Sequence, residues 1–249
     1  MGTLIYGKPG PKAIRFNGTS QYAWVHNPAC HTETQGGMAF WIKFNAINTV
    51  DGVKRVISLH VSDPGNNSLY IFGLRRIVSY GNSNNYLDIT YRQTNGGAVY
   101  ATSGSTPISA GTQLHVAFGS DGVIYLNGVA ESANNWKSDH LDMAASNPNY
   151  WFGGISGSNH DLAIAVGRLA GSPSGNYGSF DMAKLLHLPG RPFTATEAAE
   201  IYAAGIGGDP ALLSMYASLA PIYLFNGNGE DSIGTEDLTM VGTPTYVTP

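Results

Sequence analysis

The stretch Pro221–Thr248, PIYLFNGNGEDSIGTEDLTMVGTPTYVT, decides how this chain is read. It runs as a short strand, a polar turn rich in Asn, Gly and Asp, a brief apolar stretch, a Gly-Thr-Pro corner and a second strand. Near the other end, Gly7–Val25 reads GKPGPKAIRFNGTSQYAWV. There, two strand-like runs, Ala13–Phe16 and Tyr22–Val25, flank Asn17-Gly18-Thr19-Ser20, a turn of the hairpin type. Joined tail to head, the two pieces form one continuous run of strands. Residues 219–249 carry the C-terminal strands, while residues 1–12 form a Gly/Pro-rich N-terminal arm. The C-terminal strands are expected to close this chain's own sheet or to enter a neighbour's.

Between the two ends the pattern stays β. In Met38–Phe44 (MAFWIKF), Met38, Phe40, Ile42 and Phe44 fall on one face, and Ala39, Trp41 and Lys43 on the other. Val53–Val61, Tyr70–Gly73, Tyr86–Gln93, Ala98–Ala101, Gln113–Gly119, Val123–Leu126, Ala163–Gly167 and Phe180–Leu188 follow, with Gly and Pro between the runs rather than inside them. Many short strands separated by turns predict one all-β domain over residues 1–249, a two-sheet antiparallel sandwich. Two short helices interrupt it near the end. Thr194-Ala-Thr-Glu197 is a capping box that opens a helix closed by Gly205. A second helix is expected from Asp209 as N-cap and Pro210 at the first helical position to about Ala217. Gly205–Gly208 links the two.

Four stretches resemble the laminin-G-like, concanavalin A-like jelly roll: Ala13–Val25, Gly36–Phe44, Leu114–Gly128 (LHVAFGSDGVIYLNG) and Gly178–Gly205. Residues 219–249 resemble the family's opening strands, here displaced to the end of the chain. The resemblance implies a jelly roll permuted so that its first strands come last. It also places Asp181 where the family carries an acidic residue, which is read either as a calcium ligand or partner contact, or as a side chain that pins the neighbouring loop through backbone N–H groups.

Composition narrows the function. Hydrophobic residues make up 43% of the chain, and charged residues only 12%, about half the usual ~25%. The net charge is −4 and no cluster of five or more Lys and Arg occurs, so no nucleic-acid partner is expected. Apolar runs fall far short of the ~18 residues a spanning helix needs, so no membrane partner is expected either. The single Cys30 excludes an intrachain disulfide framework. His26 and His31 flank Cys30, but nothing resembling an oxyanion motif accompanies them. His115 reads as a strand histidine with a satisfied hydrogen bond.

Glycoside hydrolysis needs two carboxylates flanking the bond. The strand runs supply single acids only, Asp88 and Asp181, so no enzyme activity is expected. No cofactor is expected; the candidate calcium ligands are Asp181 and, in the oxygen-rich C-terminal turn, Asn226, Asn228, Glu230 and Asp231. Residues 130–161 form a long Asn/Ser-rich insertion carrying Trp136, Tyr150 and Trp151, with Phe152 behind them. Interface anchors and sugar platforms both favour such aromatics, and burial at the start of a strand is the other reading. Tyr6, Lys8 and Lys12 of the arm, with Trp136, Tyr150 and Trp151, are the candidate partner or glycan contacts.

Two functions follow. Relatives of this kind occur among tailed-phage accessory proteins, and no secretory pattern follows Met1. The first expectation is therefore a non-catalytic virion structural protein, a head decoration protein that binds the major capsid protein and self-associates, with a trimer favoured. The second is a carbohydrate-binding module of a phage tail fibre or cell-surface adhesion protein.

Overall fold

The computed structural model describes residues 12–50, 52–61, 69–76, 84–93, 99–132, 141–142, 151–157, 159–169, 172–173, 175–225, 227–233 and 235–249. Its strands are β1 (Ala13–Asn17), β2 (Tyr22–His26), β3 (Gly36–Phe44), β4 (Gly52–Val61), β5 (Leu69–Arg76), β6 (Asn85–Arg92), β7 (Tyr100–Ser103), β8 (Gln113–Gly119), β9 (Ile124–Leu126), β10 (Val129–Ala130) and β11 (Leu141–Asp142). The remainder are β12 (His160–Ile164), β13 (Arg168–Leu169), β14 (Ser172–Pro173), β15 (Ser179–Pro189), β16 (Ile222–Tyr223), β17 (Thr239–Val241) and β18 (Thr245–Val247). They form two sheets and one small hairpin. The first sheet has the order β10-β9-β8-β3-β15-β1-β18 with β16 beside β15; the second has the order β11-β7-β6-β5-β4-β12-β2-β17; β13 and β14 pair with each other. Among the described residues all pairings are antiparallel except β11 with β7.

The sandwich core lies between the two inner faces. Phe72 of the second sheet stacks on Phe118 of the first, ring centroids 4.3 Å apart, and Phe40 meets both edge-on. Alternation on β3 is realised as expected. Met38, Phe40, Ile42 and Phe44 point into the sandwich, and Ala39 and Trp41 into smaller clusters on the outer side of the first sheet.

That outer side is covered by the helix α1 (Ala195–Ala204), whose Ala198 and Ile201 pack with Ala39, Ala117, Tyr125, Leu186, Leu188 and Phe193. The capping box forms: the Thr194 hydroxyl accepts the Glu197 N–H, and the Glu197 carboxylate accepts the Thr194 N–H at 2.9 Å. Lys184, at a register shift in β15 and with φ 50°, donates to the carbonyls of Gly205 and Gly208 beyond the helix's end. A cation there complements the C-terminal carbonyls.

The second expected helix is instead two 3-10 turns, Pro210–Leu212 and Tyr216–Ser218. Asp209 does cap the first, through the Ala211 N–H. Ser214 then gives its N–H and its hydroxyl to the Glu200 carboxylate of α1, at 2.7 and 2.5 Å, which diverts the backbone from a continued helix. The strand expected over Ala163–Gly167 lies earlier, at β12, because Ala165 turns to φ 69°.

The displaced C-terminal strands join the chain's own sheets. β16 lies on β15, β17 on β2 and β18 on β1, so the segment contributes to both layers. This corrects the reading of Asn17–Ser20 as a hairpin turn: β1 and β2 belong to different sheets, and the turn is a corner between the layers. The Asn17 carboxamide oxygen accepts the N–H groups of Thr19, Ser20 and Gln21, which fixes the corner without strand pairing. The Gly242-Thr243-Pro244 corner runs beside it, and the Gln21 carboxamide bridges the two by donating to the Gly242 and Thr243 carbonyls, 3.0 Å each. A Cβ on Gly242 would stand 2.9 Å from the Ser20 carbonyl oxygen, so the corners meet where no side chain fits.

Candidate functional site: the polar face of the second sheet

Polar side chains sit at alternate positions on the central strands of the second sheet, opposite to the core-facing Ile57, Leu59, Tyr70, Phe72, Leu87, Ile89 and Tyr91. Strand register arranges them in rows. One row crosses the sheet as His26, Asp161, His60, Leu69 and Arg92. The next is Trp24, Ala163, Ser58, Ile71, Thr90 and Ala101, mostly small residues. A third brings Arg55, Gly73, Asp88 and Ser103 together.

Hydrogen bonds fix several of these groups. Asp88 is buried; its Oδ2 pairs with Arg75 Nε at 2.7 Å and accepts the Thr90 hydroxyl at 2.9 Å, while Oδ1 accepts the Ser103 hydroxyl at 2.7 Å. Arg75 also donates to the Thr90 hydroxyl oxygen at 2.6 Å. His26 Nδ1 meets Asp161 Oδ1 at 2.8 Å, with Asp161 buried and the His26 side chain 49% exposed. Arg55 Nη1 lies 3.2 Å from His60 Nε2.

Arginine has no acceptor, so His60 Nε2 accepts and the ring carries its proton on Nδ1. Burial, reinforced by the Arg55 charge, pushes His60 down to about 3, and burial brings Arg55 to about 10. His60 is therefore neutral at physiological pH, and its Nδ1–H is a buried donor with no partner. Such a group costs about 1–3 kcal/mol. Arg92 Nε is likewise buried and unpartnered. The segment after β12 lies against β4: the Ser58 hydroxyl donates to Val166 O at 2.7 Å, and Arg55 N to Asn176 O at 3.1 Å.

The contact and metal residues expected from sequence fare differently. Trp151 is fully buried. It closes one end of the core against Tyr70, Phe118 and Phe152, with His187 stacked at 6.3 Å, and a Cβ on Gly36 would stand 2.4 Å from its indole nitrogen. It is a core residue, not a contact with a partner or glycan, because an indole so enclosed offers no face. Tyr6, Lys8, Trp136 and Tyr150 lie outside the described residues, and Lys12 is exposed.

Asp181 is not placed to bind calcium or a partner. Its side chain is 1% exposed; Oδ1 takes Arg15 Nε at 2.7 Å and Asn45 Nδ2 at 2.8 Å, and Oδ2 takes Arg15 Nη2 at 2.8 Å and Lys43 Nζ at 3.2 Å. Burial alone would raise this carboxyl, but these side-chain donors outweigh it and hold it below its ordinary value. The residue does pin its surroundings, through side-chain donors rather than backbone N–H groups.

In the C-terminal turn, Asn226 is outside the described residues, and Asn228 and Glu230 are exposed. Asp231 Oδ1 accepts the Ile222 and Ile233 N–H groups, and Asp237 accepts the Asp231 N–H, so these oxygens fold the turn. Among the described residues no three His, Cys, Asp or Glu side chains are grouped to hold a metal ion. His115 lacks the hydrogen bond expected of it. Both ring nitrogens are buried without partners beside Trp41, 5.3 Å away, and burial lowers the ring to about 4. Cys30 is buried, and burial with the charges of Glu33 and Glu236 raises its thiol, which leaves it unreactive.

No family model matches the chain, and no curated protein matches it. Solved structures do. A native heptameric SAP-like pentraxin from Limulus polyphemus is 13% identical and superposes with a TM-score of 0.53 over 80% of this chain and 85% of that one. The CBM40 module of the Ruminococcus gnavus IT-sialidase, bound to sialyllactose, is 14% identical, with a TM-score of 0.52 over 76% of this chain and 96% of that one. A point mutant of the NanB sialidase of Streptococcus pneumoniae is 12% identical, with a TM-score of 0.51 over 81% of this chain but 29% of that chain.

The fold is a concanavalin A-like jelly roll.

At these identities the likeness concerns the fold alone. Within the jelly roll, the layer without α1 carries the polar rows. These rows are not visible in any single strand, because they exist only once β2, β12, β4, β5, β6 and β7 are in register. The signal was there in fragments: Ser58 and His60, then Asp88, Thr90 and Arg92, are polar residues spaced by two inside otherwise apolar strands.

Proposed function

We propose that the chain is a non-catalytic carbohydrate-binding module whose ligand lies on the polar face of the second sheet. The observation that carries this reading is the set of pre-oriented side chains there. Trp24, His26 and Arg92 share that face with Arg75, which the buried Asp88 carboxylate holds in place. Sugars are recognised by planar polar groups held in place together with an aromatic surface, and fixing those groups beforehand lowers the entropy cost of binding. The similarity in fold to a sialidase module bound to sialyllactose supports the reading. Carboxylates tied to arginine, such as Asp88 and Asp181, do not serve as general acids, which supports a binding role rather than hydrolysis.

The finer alternatives are a module of a tail fibre or adhesion protein and a decoration protein on a capsid. Decoration drew on the arm and the aromatic insertion; of those contacts Trp151 is in the core and Lys12 is exposed. A glycan array probed with the whole chain and with Trp24→Ala tests the proposal. Retention of defined glycans, weakened at least about tenfold by the substitution, is expected. An array without a single bound glycan, together with addition of the protein to empty capsids, would replace it with the decoration reading.

A further inference from the structure

Independently of the carbohydrate reading, we infer that Asn228 is a site of spontaneous modification, at which the chain converts its own carboxamide to an acid and loosens the turn that leads into β17. Three Asn-Gly pairs have both residues among those described: Asn17-Gly18, Asn127-Gly128 and Asn228-Gly229. Such pairs are the most open to this chemistry, because glycine has no side chain to shield its nitrogen or restrict the backbone. The structure separates the three. Asn17 Oδ1 accepts the Thr19, Ser20 and Gln21 N–H groups, and its Nδ2 donates to the Ser20 hydroxyl at 3.1 Å. Asn127 Oδ1 accepts the His115 N–H at 2.9 Å, and Gly128 is packed under α1, where a Cβ would stand 3.0 Å from Ala199 Cα. Asn228 is exposed, and among the described residues no hydrogen bond holds its carboxamide or the Gly229 N–H. A Cβ on Gly227 would meet nothing within 4 Å, so the chain before Asn228 has room to turn.

The Gly229 backbone nitrogen attacks Asn228 Cγ and forms a new C–N bond. The bond from Cγ to Nδ2 breaks, and ammonia leaves with the proton that the Gly229 nitrogen gave up. Water then opens the cyclic imide at either carbonyl, giving aspartate or isoaspartate. Only water is consumed, and hydroxide speeds the first step by removing the Gly229 proton. Either product adds a negative charge to a chain whose net charge is −4, in a turn that already carries Glu230, Asp231, Glu236 and Asp237. Isoaspartate also lengthens the main chain by a carbon atom immediately before Gly229. There is no slack at that point: Gly229 is buried, its carbonyl accepts the Leu238 N–H at 2.9 Å, and a Cβ on it would stand 2.3 Å from Met240 Cε. Leu238 is buried and Met240 pairs with Ala23 of β2, so the lengthened turn pushes on the strand that closes the second sheet.

The test holds the whole chain in mildly alkaline buffer for weeks, beside a synthetic peptide of residues 224–234 in which conversion is unhindered. Peptide mapping by mass spectrometry reads acid in place of amide at each asparagine, and enzymatic methylation of isoaspartate reads the rearranged product. Tm is followed in wild type and in Asn228→Gln, whose longer side chain closes the ring far more slowly. Acid is expected first at Asn228, at a rate that rises with pH, while Asn17 and Asn127 are still amides. The wild-type Tm should fall as isoaspartate accumulates, and Asn228→Gln should keep its Tm. Conversion at Asn17 or Asn127 as early as at Asn228 overturns the assignment. So does an Asn228 that stays an amide in the folded chain while the same residue of the peptide converts. Equal loss of Tm in wild type and Asn228→Gln overturns the loosening of the turn.

Discussion

Ala13 and Val247 stand opposite each other across the β1–β18 ladder, so the first and last strands of the chain are neighbours. The C-terminal segment closes the first sheet beside β1 and the second beside β2.

Own-chain closure and exchange between copies can be separated at this pair. Opposed antiparallel residues have the Cα spacing that a disulfide accepts. The variant Ala13→Cys with Val247→Cys, oxidised, is expected to give a cross-link within one chain, seen as a faster-migrating monomer on a non-reducing gel. Covalent dimers or trimers in its place would establish strand exchange, the route by which self-association was expected from sequence.

Removing residues 219–249 should give insoluble or molten protein. The deletion exposes the edges of β1, β2 and β15 and strips Leu219, Ile222, Tyr223, Phe225 and Leu238, all buried, from the core. A soluble truncation with unchanged Tm would show the segment to be an appendage.

Asp181→Ala should cost about 1–3 kcal/mol, several degrees in Tm, because Arg15, Lys43 and Asn45 lose their shared acceptor. An unchanged Tm would contradict the pinning role. Addition of EDTA to the wild type should leave Tm unmoved, and a large fall would reinstate the C-terminal turn as a metal site.

Acid should weaken the fold through two carboxylates. Glu197 is lowered to about 2, chiefly by the Arg191 hydrogen bond, with Thr194 adding to it against the opposing effect of burial. Asp181 is lowered too. A carboxylate whose folded value is depressed stabilises in full above its ordinary value and loses that contribution as pH falls toward the folded one. For Glu197 the window runs from the ordinary 4.5 down to about 2. Thermal melts across that range should therefore fall less steeply for Glu197→Gln than for the wild type; parallel curves would deny the linkage.

Much of the fold was legible because strands declare themselves locally. Gln113–Gly119 is recovered residue for residue, and the Thr194–Glu197 box places α1. What failed depended on distant partners. Asn17-Gly18 looks the same in a hairpin and in a corner between layers; the partners of β1 and β2 decide which. Trp151 lies in a polar insertion and read equally as a contact or as buried; Tyr70 and Gly36, far away in sequence, build the space it fills. The candidate site was the least legible part, since its residues come from six strands.

The single carboxamide of Gln21, which ties two corners of the chain together, carries a consequence for how the protein is made. β1 and β2 leave the ribosome some two hundred residues ahead of β17 and β18, the strands that cover them. Throughout that interval both layers present a raw border, and neither can be completed by local zippering. Co-translational folding therefore ends in a waiting state that the last stretch of chain resolves. Such a state is open to chaperones, to association with copies on the same polysome, and to aggregation whenever translation stalls before residue 239.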